Sequence, residues 1–280
     1  MTKIISYLAL IVVVLIYKAD SRTCKDVGEK CKSNNDCNSG RCRQKRCAIS
    51  TYTSDKALRA PHQLRLGDMK TQPSVSSYSG VLGKNNRWKN GKMPYELDPA
   101  FTKSERKLIL KSLKTIETST CVDFVKRKNQ KDWVYFDRGV DQGCASDVGR
   151  QGGKQILDLE VSKKKGEPDC MNEETIIHET LHALGFHHEQ NRYDRDNYVT
   201  VNWDNIACSF QYNFDKESPD SITTFGLPYD YVSIMHYGNN EGGIDPDVPV
   251  FIAKPKRRKI GGDKLSRSDI VKINKMYCPK

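Results

Sequence analysis

The chain has 280 residues, of which 37% are hydrophobic and 29% are charged. This length and balance suit one domain of catalytic size with smaller appendages, and they exclude a multi-pass membrane protein and a wholly disordered chain. Lysine and arginine total 46 against 35 acidic residues, which gives a formal net charge of +11. Such a surplus favours acidic partners or surfaces, but it does not identify a function.

Residues 1–21 are typical of a secretory signal peptide. Lys3 precedes an apolar run from Ile4 to Tyr17, and Ala19 and Ser21 supply the small residues of a cleavage site. The run is shorter than the roughly 20 residues that a membrane-spanning helix needs, and no stop-transfer pattern follows it. We therefore predict a secreted, extracellular protein without a membrane span; an uncleaved N-terminal anchor is the less favoured alternative.

Export changes how the 10 cysteines are interpreted, because thiols in an oxidising compartment usually pair, whereas cytosolic ones more often bind metal or do redox chemistry. Residues 22–47 form a small Cys-rich module with almost no large apolar side chains, so crosslinks must replace the missing core. Its cysteines are Cys24, Cys31, Cys37, Cys42 and Cys47. Their odd number leaves one thiol over, for which Cys208 is a candidate partner; an intermolecular bridge or a free thiol would serve equally well.

The composition changes twice after this module. Residues 48–78 are polar, contain Pro61 and Pro73 and show no sustained apolar periodicity, which predicts a linker or propeptide. From residue 79 onward, strand and helix patterns alternate, which predicts a mixed fold. The predicted elements are a strand at 93–97, a helix at 103–120 and two further strands at 132–136 and 155–161.

The stretch around residue 180 carries the pattern of a catalytic metal site. His178 and His182 lie four residues apart, so a helix presents both imidazoles on one face, with Glu179 beside them. Gly185 can adopt the positive φ that ends such a helix, which lets His188 close the set. Three protein ligands with an open fourth position are typical of catalytic zinc, whereas structural zinc usually has four ligands.

A short HExxH string also occurs by chance, and a histidine pair can be a plain surface or core feature. Gly185 and His188 extend the string to the metzincin pattern HExxHxxGxxH, which requires a later methionine turn. Met235 lies in such a segment. His187 fails the spacing, and we assign it to packing or solvent.

The chain resembles the astacin family of metzincin zinc endopeptidases, whose signature extends the zinc motif into five further residues. These are Glu189, Arg192, Asp194, Arg195 and Asp196. The resemblance runs from about Ser79 to Cys278. It implies an α+β, zincin-like fold of two subdomains in a peptidase domain at 79–280, one zinc ion per chain, and disulfides Cys121–Cys278 and Cys144–Cys170.

The resemblance also implies roles for individual residues. Tyr237 would hydrogen-bond the transition state, which is also a plausible role for a phenol placed there, and Met235 would form a hydrophobic floor beneath the ligands. Asp68, in the sequence Leu-Gly-Asp, would ligate zinc in a latent precursor, although Arg65 stands where the family has phenylalanine and a Gly-Asp pair is also common in turns. Glu189 would contact the new N-terminus of the active form, or would simply pair with a nearby arginine.

A basic run near the C-terminus comprises Lys254, Lys256, Arg257, Arg258 and Lys259. Export argues against a nuclear signal and against a nucleic-acid partner. We favour a solvated loop; lining of the substrate cleft comes next, and contact with polyanions or extracellular matrix is a third alternative.

These observations predict a secreted zinc endopeptidase, made as a latent precursor, that cleaves extended polypeptides. Its substrates would pair with the edge of the strand at 155–161. Glu179 would act as the proton carrier. The alternative is a non-catalytic zinc-binding protein, or a matrix- or receptor-binding secreted protein whose Cys-rich module carries the biology.

Overall fold

The computed structural model describes residues 42–43, 46–47, 68–70, 84–139, 143–162 and 169–278. The chain forms two compact units: Met1–Thr51 with Ala207–Ser209, and Tyr52–Ile206 with Phe210–Lys280. In the first unit, β1 (Cys42–Arg43) pairs antiparallel with β2 (Arg46–Cys47). The predicted signal peptide, the rest of the Cys-rich module, the side chain of Cys208 and the linker apart from residues 68–70 lie outside the described residues.

The second unit contains a 5-stranded sheet. Its strands in chain order are β3 (Lys92–Leu97), β4 (Asp123–Lys126), β5 (Trp133–Asp137), β6 (Cys144–Ala145) and β7 (Lys154–Leu159). The spatial order is β4-β3-β5-β7-β6. The first three neighbouring pairs are parallel, and β6 is antiparallel to β7. All three strands predicted from the sequence are therefore present, with bounds shifted by one or two residues.

Two helices pack with this sheet in one apolar core. Helix α1 (Lys103–Ser119) begins with a capping box between Thr102 and Glu105, which satisfies backbone donors at the helix start. Its buried Ile109, Leu113 and Ile116 recur at helical spacing. Helix α2 (Glu173–Ala183) starts where the side chain of Asn172 accepts a hydrogen bond from the backbone N–H of Thr175.

The later part of the chain has little regular structure. A two-stranded sheet joins β8 (Val199–Val201) to β9 (Phe251–Ala253), and helix α3 (Arg267–Tyr277) closes the domain. Between these elements the backbone forms short 3₁₀ turns and loops around a second apolar cluster that includes Phe214 and Tyr237. This division agrees with the α+β, two-subdomain fold that the resemblance implies.

Both disulfides implied by the resemblance are formed. Cys121, just after α1, is bonded to Cys278 at the end of α3, and Cys144 in β6 is bonded to Cys170 ahead of α2. Among the described residues, no helix is both long and apolar enough to cross a bilayer.

The edge of the sheet differs from the sequence prediction. We expected substrates to pair with the strand at 155–161, but β6 pairs with β7 through Leu159 and Asp158. The edge strand is therefore β6. A cysteine and an alanine are too short a run for a periodicity argument to detect, so the sequence could not reveal it.

Candidate metal centre

Helix α2 presents the first two histidines of the site. His178 and His182 lie on one helical face, and their Nε2 atoms are 3.1 Å apart. The helix ends at Ala183, and Gly185 just beyond it has a φ of 101°, a conformation that glycine adopts at little steric cost. The chain then turns back and brings His188 Nε2 to 3.2 Å from both other Nε2 atoms.

Asp68 supplies a fourth ligand atom. Its Oδ2 lies 3.1 Å from Nε2 of His178 and of His188, and 3.9 Å from Nε2 of His182. A tetrahedral ion with bond lengths of about 2.0 Å needs ligand atoms about 3.3 Å apart. The four atoms therefore form a cage of the right size for one zinc ion, and the nitrogen and carboxylate donors are of the type that zinc prefers.

Backbone carbonyls orient two of the imidazoles. His178 Nδ1–H donates to the carbonyl of Ile234 at 2.7 Å, and His182 Nδ1–H donates to that of Phe186 at 2.6 Å. These bonds place the proton on Nδ1 and leave the Nε2 lone pair directed into the cage, as in other metal sites.

Burial and charge set the protonation of the other two ligands. Burial lowers the pKa of His188 to about 4, which keeps its imidazole in the neutral form that binds metal. Burial acts to raise the pKa of Asp68, but the imidazoles that face it, His188 first, hold it well below its usual range. Asp68 is therefore a carboxylate, which is the ligating form.

Of the two predicted catalytic residues, Tyr237 lies at the cage, and Glu179 directly follows one of its histidines in the sequence. Glu179 is fully buried on α2 beside His178. The hydroxyl of Tyr237 lies 3.5 Å from Asp68 Oδ1, and its ring centroid is 4.5 Å from that of His188. Met235 is buried in the same turn and its carbonyl accepts a hydrogen bond from the backbone N–H of Glu189.

Glu189 lies in a buried set of charges. Its Oε2 accepts from Lys272 Nζ at 2.5 Å, and its Oε1 accepts from Arg192 at 3.0 Å and from the N–H of Asp230 at 2.9 Å. Burial acts to raise the pKa of Glu189, but Lys272 and Arg192 lower it. The arginine partner that we considered for Glu189 is thus present, together with a lysine from α3; the predicted N-terminal contact falls on residues outside the described part of the chain.

His187 and the basic run lie apart from the cage. The His187 side chain is buried and pairs with Glu217, with Nδ1 and Oε1 3.0 Å apart, so of the two assignments made for it, packing is the one observed. Residues 254–259 are exposed, in keeping with the solvated loop that we favoured.

Sequence reasoning missed two residues that support the site. Asp269, in the first turn of α3, accepts from Ser233 Oγ at 2.6 Å and from the N–H of Ile234 at 3.0 Å. It thereby holds the carbonyl that orients His178. Gln190, which follows Glu189, is fully buried, and its Oε1 accepts from the N–H of Tyr237 at 3.0 Å. Asp269 could have been noticed as the third residue after a serine helix cap, but its partner in the methionine turn is distant in the sequence.

Asp68 reaches the cage through main-chain pairing. Ser146 N–H donates to the carbonyl of Asp68 at 2.8 Å, and Lys70 N–H donates to the carbonyl of Ser146 at 3.0 Å. Residues 68–70 thus lie as a short added strand, parallel to the chain at Ser146.

Curated relatives share much of this sequence. Zinc metalloproteinase nas-14 of Caenorhabditis elegans is 38% identical over 224 residues, which cover 79% of this chain and 43% of that protein. Zinc metalloproteinase nas-4 of the same organism is 37% identical, over 75% of this chain and 72% of its own length. This chain spans about half the length of several such relatives, for example 57% of nas-6 and 52% of nas-7.

A solved structure is also similar to this chain. High choriolytic enzyme 1, a hatching enzyme zinc-protease from Oryzias latipes, is 34% identical and superposes with a TM-score of 0.62 over 76% of this chain and 100% of that one. The family model of Astacin, a peptidase family, matches residues 81–278. That span begins after the Asp68 segment and contains the three histidines, Glu179, the methionine turn and both disulfides, so the chain belongs to the astacin family.

Proposed function

We propose that this protein is a secreted zinc metalloendopeptidase, made as a latent precursor, that hydrolyses peptide bonds of extended extracellular polypeptides. The cage carries the proposal: three of its corners are histidines of the family domain, and the fourth is a carboxylate from a segment outside the matched span. In this proposal the fourth ligand is the one that activation removes. Its removal would leave three protein ligands and one open position, which is the arrangement of a catalytic site.

A zinc ion held by the three imidazoles would supply a Lewis acid that polarises the scissile carbonyl and lowers the pKa of water to about 7. Glu179, which follows His178 on α2, would accept the proton of the attacking water and deliver it to the departing amine. Tyr237, whose hydroxyl now lies 3.5 Å from Asp68 Oδ1, would donate instead to the oxyanion of the substrate once Asp68 has left.

Asp68 supports the latency part of the proposal. Its carboxylate lies where the substrate carbonyl would have to bind, and its own main chain pairs at the sheet edge that would hold an extended substrate. Glu189 is proposed as the contact of the amine produced by activation. An ionised carboxylate has about four acceptor positions, and its three donors here are Lys272, Arg192 and the N–H of Asp230.

Metal analysis and peptide cleavage of the activated protein, alongside Glu179→Gln, test the catalytic part. We expect one zinc ion per chain, cleavage that a chelator abolishes, and in the variant a loss of turnover of about 10²–10⁴-fold with metal retained. Full activity of Glu179→Gln would overturn the mechanism. Chelator-sensitive metal binding without any cleavage would instead support the non-catalytic, binding-protein alternative.

Latency is tested by Asp68→Ala in the full-length precursor. We expect premature cleavage of a reporter peptide, because the fourth corner of the cage is then free of its internal carboxylate. Asp263→Asn, a substitution at an exposed site, is the control and should stay silent. An Asp68→Ala precursor as silent as the control would remove Asp68 from this role.

A further inference from the structure

Lys70 lies two residues after Asp68 and makes a contact that latency alone does not require. Its Nζ lies 2.6 Å from Asp158 Oδ2 and donates to the carbonyl of Ile156 at 3.0 Å. Both acceptors belong to β7, directly inside the edge strand β6. The ammonium therefore has two acceptors that converge on one point of the sheet.

The side chain of Asp158 lies on the face of β7 opposite the apolar core. Side chains alternate along a strand, and the neighbouring Leu157 and Leu159 are fully buried in the core, whereas Ile156 is 38% exposed on the same face as Asp158. The side chain of Asp158 is nevertheless only 8% exposed. The Lys70 side chain lies against it, so departure of residues 68–70 would uncover this carboxylate beside the cleft.

The surroundings of Asp158 are negatively charged. The pKa of Asp137 is raised by burial and by the nearby carboxylates of Asp158 and Asp98, and that of Asp147 is raised by burial and, in smaller part, by Asp158. Lys154, another cation near this face, lies over the ring of Tyr135, with its Nζ 3.7 Å from the centroid. Without Lys70, the acidic groups here outnumber the basic ones, which favours a cationic occupant.

We propose that Asp158, with the carbonyl of Ile156, forms a subsite for a lysine or arginine side chain of the polypeptide substrate, and that Lys70 occupies this subsite in the precursor. The inference rests on the proposed endopeptidase function and names a specificity determinant of that site. Lys70 is two residues from the one whose carboxylate enters the cage, so the selected side chain lies within about three residues of the scissile bond, since an extended chain advances only about 3.3 Å per residue.

A positional scan tests the subsite. The full-length protein, folded and then activated by limited proteolysis, is assayed on peptides that carry lysine or the uncharged norleucine at each of the three positions on either side of the scissile bond. We expect one position at which lysine raises kcat/KM about 10-fold over norleucine, because only lysine can donate a charge-assisted hydrogen bond to the carboxylate of Asp158.

Asp158→Asn should reduce that ratio to about 1, and Asp158→Glu should restore part of it because the charge returns. Asp123→Asn is the matched control: it removes one carboxylate from β4, at the opposite edge of the same sheet, and should leave the ratio unchanged. The absence of a lysine preference at every position in the wild-type enzyme, or an equal preference in Asp158→Asn, would overturn the subsite. Failure to cleave either peptide series would instead contradict the endopeptidase function itself.

Discussion

The two halves of the domain that contains the metal centre are stabilised in different ways. In the described part of residues 84–184, many backbone polar groups are satisfied within strands and helices, and buried apolar side chains form the core. In residues 185–278 polar side chains satisfy many of them instead. Asn191 donates to the carbonyls of Asn213 and Asp215, and Asn205 donates to those of Asp245 and Val248. Buried backbone groups need partners in either case, and the first half supplies more of them by regular strand and helix pairing.

The metal centre spans both halves. Two histidines come from a regular helix, whose 3.6-residue period puts both of them on one face. The third ligand lies in the irregular half, where Glu189 binds Lys272 of α3 and Asp269 of α3 binds the methionine turn. The comparison therefore predicts that damage to the first half lowers stability, whereas damage to the second also weakens metal binding.

Ile109→Ala should give the largest loss of stability. The side chain is fully buried in the first core, and such truncations cost about 2–5 kcal/mol. Chemical denaturation measures the effect, and zinc titration of the folded variant should give wild-type affinity. Leu110→Ala on the same helix is the control, since Leu110 is 44% exposed and should change the free energy of unfolding by less than about 0.5 kcal/mol. Weakened zinc binding in folded Ile109→Ala would contradict the expectation that changes in the first half lower stability without affecting metal binding.

Asp269→Asn should have an intermediate effect on stability and a clear effect on the metal. It replaces a buried acceptor of two hydrogen bonds from the methionine turn, for which we expect a loss of about 1–3 kcal/mol. Because the turn carries the carbonyl that orients His178, zinc affinity should fall about 10–100-fold.

Competition with a chromophoric chelator measures that affinity, with Asp263→Asn as the control for the same chemical change at an exposed site. Unaltered zinc affinity in a destabilised Asp269→Asn protein would show that the position of the methionine turn does not affect how His178 binds the metal.

Glu105→Gln should have the smallest effect, with a defined pH dependence. Burial acts to raise the pKa of Glu105, but its hydrogen bonds with Arg138 and Thr102 lower it below the ordinary value of 4.5. A depressed pKa means that this carboxylate stabilises the fold above pH 4.5 and that the contribution is lost as the pH falls through the lowered pKa. Both partners are partly exposed to solvent, so the contribution is at most about 1 kcal/mol.

Thermal unfolding of wild type and Glu105→Gln is measured from about pH 3 to about pH 7. The unfolding midpoints of the two proteins should differ near neutrality and converge in acid. Midpoints that move further apart as the pH falls would contradict the lowered pKa of Glu105.

Much of the first half was predictable from local pattern. Helix α1 follows from the spacing of Ile109, Leu113 and Ile116, and the strand at 154–159 from alternation of apolar and polar residues. The edge strand β6 was not predictable, because two residues carry no period. The support of His178 by Asp269, 91 positions later in the chain, was likewise invisible, since no local rule relates a helix cap to a turn that it meets only after folding.

The sequence by itself determined the family and indicated the three histidines as one set of metal ligands. In the HExxHxxGxxH pattern, two histidines share one helical face and a glycine lets the chain turn back after the helix, so local geometry brings the set together. It also indicated Asp68 as a candidate ligand. Only the tertiary structure decided that Asp68 Oδ2 reaches the cage, that Lys70 lies on Asp158, and that α3 supports the metal site from the irregular half. Such contacts join segments that are far apart in the chain, and their distances follow from how the sheet, the helices and the loops pack, which no local pattern encodes.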